Sequence, residues 1–250
     1  MGKTAIIFPG QGSQTMGMGQ DFFESSPRAA TVFRTADEIL GFELSKQCFE
    51  GPAQELERTD VQQPAIFVTS VAIWEAMLEK GVPADFLGAS AGLSLGEYTA
   101  LHVAGAVGFE DALKLVAARG RLMQEASQAS PSGMVSVMGD DGAVEALCQK
   151  AAQGEVLGPA NFNCPGQVAI SGSKEACQRA VELASEFNTR AIPLKVAGAF
   201  HSPFMAPAGE KLGKALARTP LTRPRVPVVA NVPQIIMVMP RPFGQPCRSR

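Results

Sequence analysis

The chain has 250 residues, 46% of them hydrophobic, so it can bury one large core or a large core with a smaller one beside it. Charged residues make up 18% and the formal net charge is −2; because no basic stripe alternates with aromatic residues, a nucleic-acid surface is not expected. No run approaches the ~20 apolar residues of a membrane-spanning helix, and the N-terminal apolar stretch is too short for a signal peptide, so no membrane association is expected.

The first part of the chain predicts strands of an open α/β sheet. Residues Thr4–Phe8 form a predicted buried strand that ends in a loop of small residues. A helix is predicted over Pro64–Lys80, because proline suits a first helical turn and apolar residues recur along the segment. A short strand near Phe86 is then followed by a tight turn at Gly92–Gly96 and by a helix through Ala104.

The middle of the chain predicts a small inserted domain. A helix from about Phe109 to Ala126 is followed by a Ser/Pro/Gly-rich break at Ser127–Gly133, which we interpret as a hinge. The elements after it have the β-α-β-β-α-β order of a ferredoxin-like unit. They are a strand Met134–Met138, a helix Ala143–Ala152, strands near Val156 and over Gln167–Ser171, a helix Glu175–Phe187 and a strand Arg190–Leu194.

We therefore predict an α/β fold with a hydrolase-like large domain, built on a central, mostly parallel sheet, and an inserted ferredoxin-like α+β domain. Residues 1–127 and 197–232 form the predicted large domain, and residues 128–196 the small one. Residues 233–250 form an atypical tail. No acidic residue follows Glu210, and the prolines and arginines of the tail form no recognisable element.

The pentapeptide Gly92-Leu-Ser-Leu-Gly96 matches the G-x-S-x-G pattern of a nucleophile elbow. In such an elbow, small flanking residues permit a sharp turn that exposes the serine at a helix N-terminus. Ser94 is thus a candidate nucleophile, and the amide of Leu95 a candidate donor to the oxyanion. The alternative is an ordinary turn in which Ser94 caps the helix; the predicted strand before it and helix after it favour the elbow.

A serine nucleophile needs a base, and the chain has two histidines. His102 lies in the same predicted helix as the turn, ~12 Å along its axis from Ser94 at ~1.5 Å per residue, which is beyond hydrogen-bond reach. His201 is the candidate base by elimination, in a small-residue loop that follows the predicted inserted domain. The alternative is a histidine that merely packs in this loop.

Arg119 is a candidate anion-binding residue. It falls on the apolar stripe of the helix that begins at Phe109, so we expect it to be buried. A buried cation needs a carboxylate partner or an anionic ligand, and the planar guanidinium pairs bidentately with a carboxylate. The alternatives are a structural ion pair and a side chain whose stem extends outward to solvent.

Gln11 lies in the loop Gly10–Gln14, where the first strand ends and ligands of open α/β sheets usually bind. The loop lacks G-x-G-x-x-G and the Walker lysine, so a nucleotide site is rejected. Its backbone is a candidate for the second oxyanion donor.

Together these segments resemble the malonyl-CoA:acyl-carrier-protein transacylases of type II fatty-acid synthesis and the acyltransferase domains of polyketide synthases. The resemblance runs from residue 4 to about 232. The segments that carry it are Phe8-Pro-Gly-Gln-Gly-Ser-Gln14, Gln63-Pro-Ala65, Gly92-Leu-Ser-Leu-Gly-Glu-Tyr98, Arg119-Gly-Arg-Leu-Met-Gln124, Asn163-Cys-Pro-Gly-Gln167 and Gly198-Ala-Phe-His-Ser-Pro203.

The resemblance implies transfer of a malonyl group from coenzyme A, as substrate rather than cofactor, to the phosphopantetheine thiol of acyl carrier protein. By that likeness Ser94 is the nucleophile, His201 the base and Arg119 the clamp on the malonyl carboxylate, and the amides of Gln11 and Leu95 form the oxyanion hole. No metal or redox cofactor is implied, and we expect a monomer.

Two features depart from the family pattern. Leu93 stands where the family usually has a histidine, which changes the polarity beside the nucleophile without removing the base. Family members also continue beyond the segment Val229-Ala-Asn-Val232 with residues that orient the catalytic histidine, so we expect a truncated or frame-shifted end here.

Two other functions are compatible with the sequence. A serine esterase or thioesterase would use the same elbow with water as acceptor, and an inactive, truncated family member would retain only the outline of the site. The five scattered cysteines are an odd number without a C-x-x-C pair, which favours reduced thiols and a cytoplasmic location.

Overall fold

The computed structural model describes residues 4–231 and 236–237 of the chain. The helices of this part are α1 (Gln20–Ser25), α2 (Pro27–Leu40), α3 (Leu44–Phe49), α4 (Ala53–Leu56), α5 (Thr59–Glu79), α6 (Gly96–Val103), α7 (Phe109–Ala129), α8 (Asp141–Ala152), α9 (Lys174–Leu183) and α10 (Ala206–Leu216). The strands are β1 (Thr4–Phe8), β2 (Leu87–Gly92), β3 (Ser132–Met138), β4 (Leu157–Cys164), β5 (Gln167–Ser173), β6 (Arg190–Pro193), β7 (Val228–Val229) and β8 (Ile236–Met237). Short 3-10 turns cover Ala84–Phe86, Ala184–Phe187 and Pro203–Met205.

The chain forms two compact units. The first contains residues 4–57, 61–117 and the described residues after 218, and the second contains residues 58–60 and 118–217. The second unit extends beyond the predicted small domain of residues 128–196, because it includes the end of α7 and all of α10. The predicted domain boundaries themselves stay a prediction.

The first unit is built on a mostly parallel sheet with the strand order β1-β2-β7-β8. Strand β2 pairs in parallel with β1 on one side and with β7 on the other, while β8 pairs antiparallel to β7. Strand β2 therefore has a neighbour on both sides, and its carboxyl end leads directly into the turn before α6. The turn of the candidate nucleophile is thus anchored to an interior strand.

The largest core cluster of the first unit surrounds α5. The side chains of Phe33, Phe67, Leu95 and Leu113 are all fully buried in it. Burying such a side chain stabilises the fold by about 1.5–3 kcal/mol. Because Leu95 directly follows Ser94, this core fixes one side of the candidate nucleophile's turn.

The second unit contains the predicted ferredoxin-like sheet. Its strands have the order β4-β5-β3-β6 and all neighbours are antiparallel. Helices α8 and α9 supply the apolar cluster that packs against it, with Leu147 and Ile170 fully buried. The predicted β-α-β-β-α-β order is confirmed, since β3, α8, β4, β5, α9 and β6 follow one another along the chain.

Two predicted boundaries were wrong. Helix α5 begins at Thr59, so Pro64 lies inside it rather than in its first turn. The helix continues through the proline, although one backbone hydrogen bond is lost, because both faces of this segment are buried. The short strand predicted near Phe86 is confirmed as β2, which starts at Leu87 after a 3-10 turn. Helix α7 extends to Ala129 and leaves only residues 130–131 before β3, so the predicted hinge at Ser127–Gly133 is mostly regular structure.

The atypical tail predicted for residues 233–250 lies outside the described residues except for β8. Cysteines 48, 148, 164 and 177 are free thiols, and burial raises the pKa of Cys48 to about 12; Cys247 lies outside the described residues. Within the described residues, no helix is both long and apolar enough to cross a membrane.

Two glycines of the second sheet give a test of its close packing. A Cβ atom at Gly172 would lie 2.1 Å from the carbonyl oxygen of Val156, whereas a Cβ at Gly158, on the neighbouring strand, would meet no heavy atom within 4 Å. We expect Gly172→Ala to lower the free energy of unfolding by about 2 kcal/mol or more, since backbone must move. Gly158→Ala should leave it unchanged or raise it slightly. Urea unfolding followed by circular dichroism measures both, and equal midpoints would contradict the expectation.

Candidate active site

Ser94 lies in a sharp turn between β2 and α6, and its backbone is left-handed with φ 52°. Close backbone approach explains the glycines on either side. A Cβ at Gly92 would lie 1.9 Å from the carbonyl carbon of Gly96, and a Cβ at Gly96 would lie 2.4 Å from the carbonyl oxygen of Phe8. No side chain fits at either place. The strand–turn–helix context predicted for the elbow is confirmed, since β2 leads through this turn into α6.

The backbone amides around Ser94 have defined roles. The amide of Ser94 donates to Oδ1 of Asn231 at 2.5 Å, and the amide of Gly96 donates to the carbonyl oxygen of Leu93 at 2.9 Å. The amide of Leu95 lies between these two engaged groups, and Leu95 is the residue before the first turn of α6. The partial positive charge of a helix N-terminus is concentrated at this position.

The loop that carries Gln11 packs against the same turn. The amide of Leu93 donates to the carbonyl oxygen of Phe8, the last residue of β1, at 3.1 Å. The loop after β1 is held by Ser13 Oγ, which donates to the carbonyl oxygen of Gly10 at 2.8 Å. Gln63 Nε2, on the fully buried side of α5, donates to Gln11 Oε1 at 3.4 Å. The two segments that carry the candidate oxyanion amides are thus linked by backbone.

Arg119 and His201 line one cavity of about 150 Å³ in the second unit. Arg119 is 9% exposed, so the burial predicted from its position on the apolar stripe is confirmed. The other lining residues are apolar or glycine: Leu122, Met123, Met205, Ala208, Gly209 and Leu212. A cavity with one cation and one imidazole in apolar walls suits a small ligand with a single negative charge.

Burial lowers the pKa of His201 below its ordinary value of 6.5, and the positive charge of Arg119 lowers it further. Both causes favour the neutral imidazole, since each disfavours the charged form. A general base must be neutral to accept a proton, so this environment keeps His201 in the competent form near neutral pH. Its backbone is also left-handed, with φ 58°.

His102 is a core residue. Its ring packs against Phe67 and Phe109, with centroids 6.1 and 5.9 Å away. Nδ1 lies 3.1 Å from the carbonyl oxygen of Val107, and burial lowers the pKa of the ring. These contacts commit His102 to packing in the first unit and leave His201 as the candidate base.

The structure brings some of the predicted site residues together. Ser94, Leu95 and Gln11 belong to the first unit, and Arg119 and His201 to the second. The pairing of Ser94 with His201 stays a prediction. Among residues 4–231 and 236–237, no group of three or more His, Cys, Asp or Glu side chains could hold a metal ion.

Sequence reasoning missed two parts of the site. The cavity wall on α10 follows the helical spacing of Met205, Ala208, Gly209 and Leu212, a signal that was available in the sequence. Asn231 contacts the elbow, but no sequence pattern indicated this contact. It depends on the pairing of β2 with β7, two strands that lie far apart along the chain.

Comparisons with known proteins match this description. Residues 5–235 match the family model of the acyl transferase domain. The malonyl CoA-acyl carrier protein transacylase of Bacillus subtilis is 45% identical over 240 residues, which cover 95% of this chain and 75% of that protein. The Escherichia coli K12 protein of the same name is 43% identical over 234 residues, covering 93% and 75%.

Two solved structures extend the likeness to the fold. A malonyl-transacylase solved in complex with a type II polyketide acyl-carrier protein superposes with a TM-score of 0.89 at 41% identity, covering 94% of this chain and 76% of that one. An acyl carrier protein S-malonyltransferase of Vibrio cholerae gives a TM-score of 0.88 at 43% identity, covering 94% and 77%. The predicted α/β fold class is confirmed, and the chain belongs to the acyl transferase domain family that includes the malonyl CoA-acyl carrier protein transacylases.

Proposed function

We propose that the chain moves a malonyl group from coenzyme A to the phosphopantetheine thiol of an acyl carrier protein, through an ester on Ser94. The observation that carries this proposal is the buried Arg119, which shares a small, otherwise apolar cavity with His201, whose pKa is lowered by burial and by the charge of Arg119. Membership of the acyl transferase family supports the reaction type, and the names of the similar proteins support malonyl and the carrier.

In the first half-reaction, His201 takes the proton of Ser94 Oγ, which attacks the thioester carbonyl of malonyl-CoA. The amides of Leu95 and Gln11 donate to the resulting oxyanion. The tetrahedral intermediate then collapses with cleavage of the carbon–sulfur bond, and the coenzyme A sulfur leaves with the proton from His201. In the second half-reaction the carrier thiol loses its proton to His201 and attacks the Ser94 ester, which regenerates the serine.

Arg119 selects the acyl group in this proposal. A malonyl group carries a free carboxylate, and a guanidinium in an apolar cavity binds it with two parallel charge-assisted hydrogen bonds. An acetyl group offers no such carboxylate and forgoes both of these hydrogen bonds. The same contact distinguishes the transferase from a simple esterase, which has no need of a cation at the acyl end.

The remaining proposals concern partners and location. We propose that coenzyme A thioester is the only small-molecule requirement and that the protein acts without a metal or redox cofactor. An acyl carrier protein is the proposed acceptor, as in the solved complex of a similar transacylase. Free thiols at Cys48, Cys148, Cys164 and Cys177 fit the proposed reducing cytoplasm. A monomer stays a prediction.

The function is tested by a covalent adduct. After brief exposure to malonyl-CoA, intact-protein mass spectrometry should show one malonyl group on the wild-type chain, and peptide mapping should place it on Ser94. Ser94→Ala should show none, whereas Ser25→Ala, which changes an exposed serine of α1, should behave as wild type. An adduct that persists in Ser94→Ala would exclude this serine as the nucleophile, and no adduct on the wild type would exclude the proposed reaction.

Arg119→Ala should reduce kcat/KM for malonyl-CoA on the order of 100-fold or more, because two charge-assisted hydrogen bonds are lost. Residual acetyl transfer should change far less. Arg121→Ala is the matched control, since Arg121 lies on the same helix with 64% of its side chain exposed. Steady-state assays with malonyl-CoA and acetyl-CoA measure kcat/KM for both variants. An equal loss of kcat/KM for the two thioesters would rule out the carboxylate clamp.

The pKa of His201 should depend on Arg119. Removing the positive charge in Arg119→Gln leaves burial as the remaining cause of the lowered pKa, so the pKa of His201 should rise toward its ordinary value. Activity that needs the neutral ring would then begin to fall at a higher pH on acidification than in the wild type. NMR titration can follow the two imidazoles, which the variant His102→Gln assigns. An unchanged His201 titration in Arg119→Gln would contradict the charge coupling.

A further inference from the structure

The side chain of Asn231 bridges the two backbone segments of the elbow. Its Oδ1 accepts the amide hydrogen of Ser94 at 2.5 Å, and its Nδ2 donates to the carbonyl oxygen of Gly92 at 2.7 Å. A carboxamide satisfies both groups in one orientation only, with oxygen toward the amide and nitrogen toward the carbonyl. One side chain thus joins the end of β2 to the serine.

Strand pairing brings Asn231 to this place. Ser90 and Ala91 of β2 lie opposite Val228 and Val229 of β7 in a parallel register. Val228 is fully buried, and the amide of Ser90 donates to the carbonyl oxygen of Pro227 at 2.9 Å. Asn231 follows β7 by two residues, beyond the same sheet edge at which β2 enters the turn.

The two hydrogen bonds act on a strained segment. A serine at positive φ is uncommon, and such a conformation persists only where its surroundings impose it. The bonds from Asn231 engage the residue itself and the residue two positions before it, so they constrain the direction in which the Cα–Cβ bond of Ser94 projects. They also occupy the Ser94 amide, which leaves the neighbouring Leu95 amide to face the oxyanion.

We propose that Asn231 is a positioning residue for the nucleophile: its carboxamide fixes the elbow so that Ser94 Oγ is presented for attack. This inference rests on the proposed role of Ser94 and adds a residue from the far end of the described chain. Asn231 touches no reacting atom in this scheme, and its effect passes through the backbone of the turn.

The test compares two substitutions of Asn231 with a matched control. Asn231→Asp keeps the acceptor for the Ser94 amide and loses the donor to Gly92, whereas Asn231→Ala loses both bonds. The control is Thr222→Ala. Thr222 Oγ1 donates to the carbonyl oxygen of Gly105 at 3.1 Å, so it also ties the last segment of the first unit to the loop after α6, away from the elbow.

Two rates are measured for each variant: Ser94 acylation by malonyl-CoA, and Ser94 labelling by a fluorophosphonate, in which Oγ bonds to phosphorus, fluoride leaves and the hydroxyl proton passes to the base. We expect both to fall on the order of tenfold in Asn231→Asp and a hundredfold in Asn231→Ala, about one tenfold step per hydrogen bond. KM for malonyl-CoA should stay within about threefold, because the substrate contacts proposed for Arg119 are unchanged.

The control separates positioning from stability. Thr222→Ala should lower the thermal midpoint by an amount similar to that of Asn231→Asp while leaving both rates at the wild-type value. Wild-type rates in Asn231→Ala, or equal rate losses in Thr222→Ala and Asn231→Asp, would overturn the proposal. A wild-type protein that reacts with the fluorophosphonate but not with malonyl-CoA would refute the proposed substrate, and the fluorophosphonate rates would still decide the role of Asn231.

Discussion

The left-handed backbone at Ser94 is the constraint on which the site depends. A non-glycine residue in this conformation costs about 1–3 kcal/mol, a sizeable share of the ~5–15 kcal/mol by which a typical domain is stable. The surroundings impose it from several sides: β2 is paired on both edges, Leu95 is fully buried, and glycines on both sides of the serine allow backbone to approach backbone. These contacts hold the backbone of the turn, and with it the direction of the Cα–Cβ bond of Ser94.

The two units carry different kinds of electrostatic groups. The first unit supplies uncharged dipoles, the amides and the N-terminus of α6, which suit a negative charge that exists only transiently. The second unit supplies a permanent charge, Arg119, which suits a permanent carboxylate. The same cation disfavours protonation of His201 beside it. In the proposed mechanism, one arginine both binds the substrate carboxylate and lowers the pKa of the base.

Much of the fold followed from local patterns. The order of the predicted strands and helices indicated the ferredoxin-like unit, and the small residues around Ser94 indicated the turn. The errors arose where tertiary packing outweighed a local signal, as in α5, which continues through Pro64 because the core surrounds it. The contact of Asn231 with the turn could not be found from the sequence, since it depends on the parallel pairing of β2 with β7, which joins residues far apart along the chain.

The contrast between the turn and the cavity has a consequence for how such an enzyme diversifies. At the turn, a Cβ atom on Gly92 or Gly96 would lie 1.9 or 2.4 Å from a backbone atom, so only glycine is tolerated at these two positions. The cavity wall on α7 and α10 is made of side chains. The main-chain hydrogen bonds of these two helices do not depend on the identity of those side chains. Substitutions can therefore change the shape of the cavity one residue at a time, whereas the glycines beside Ser94 cannot be replaced without moving the turn.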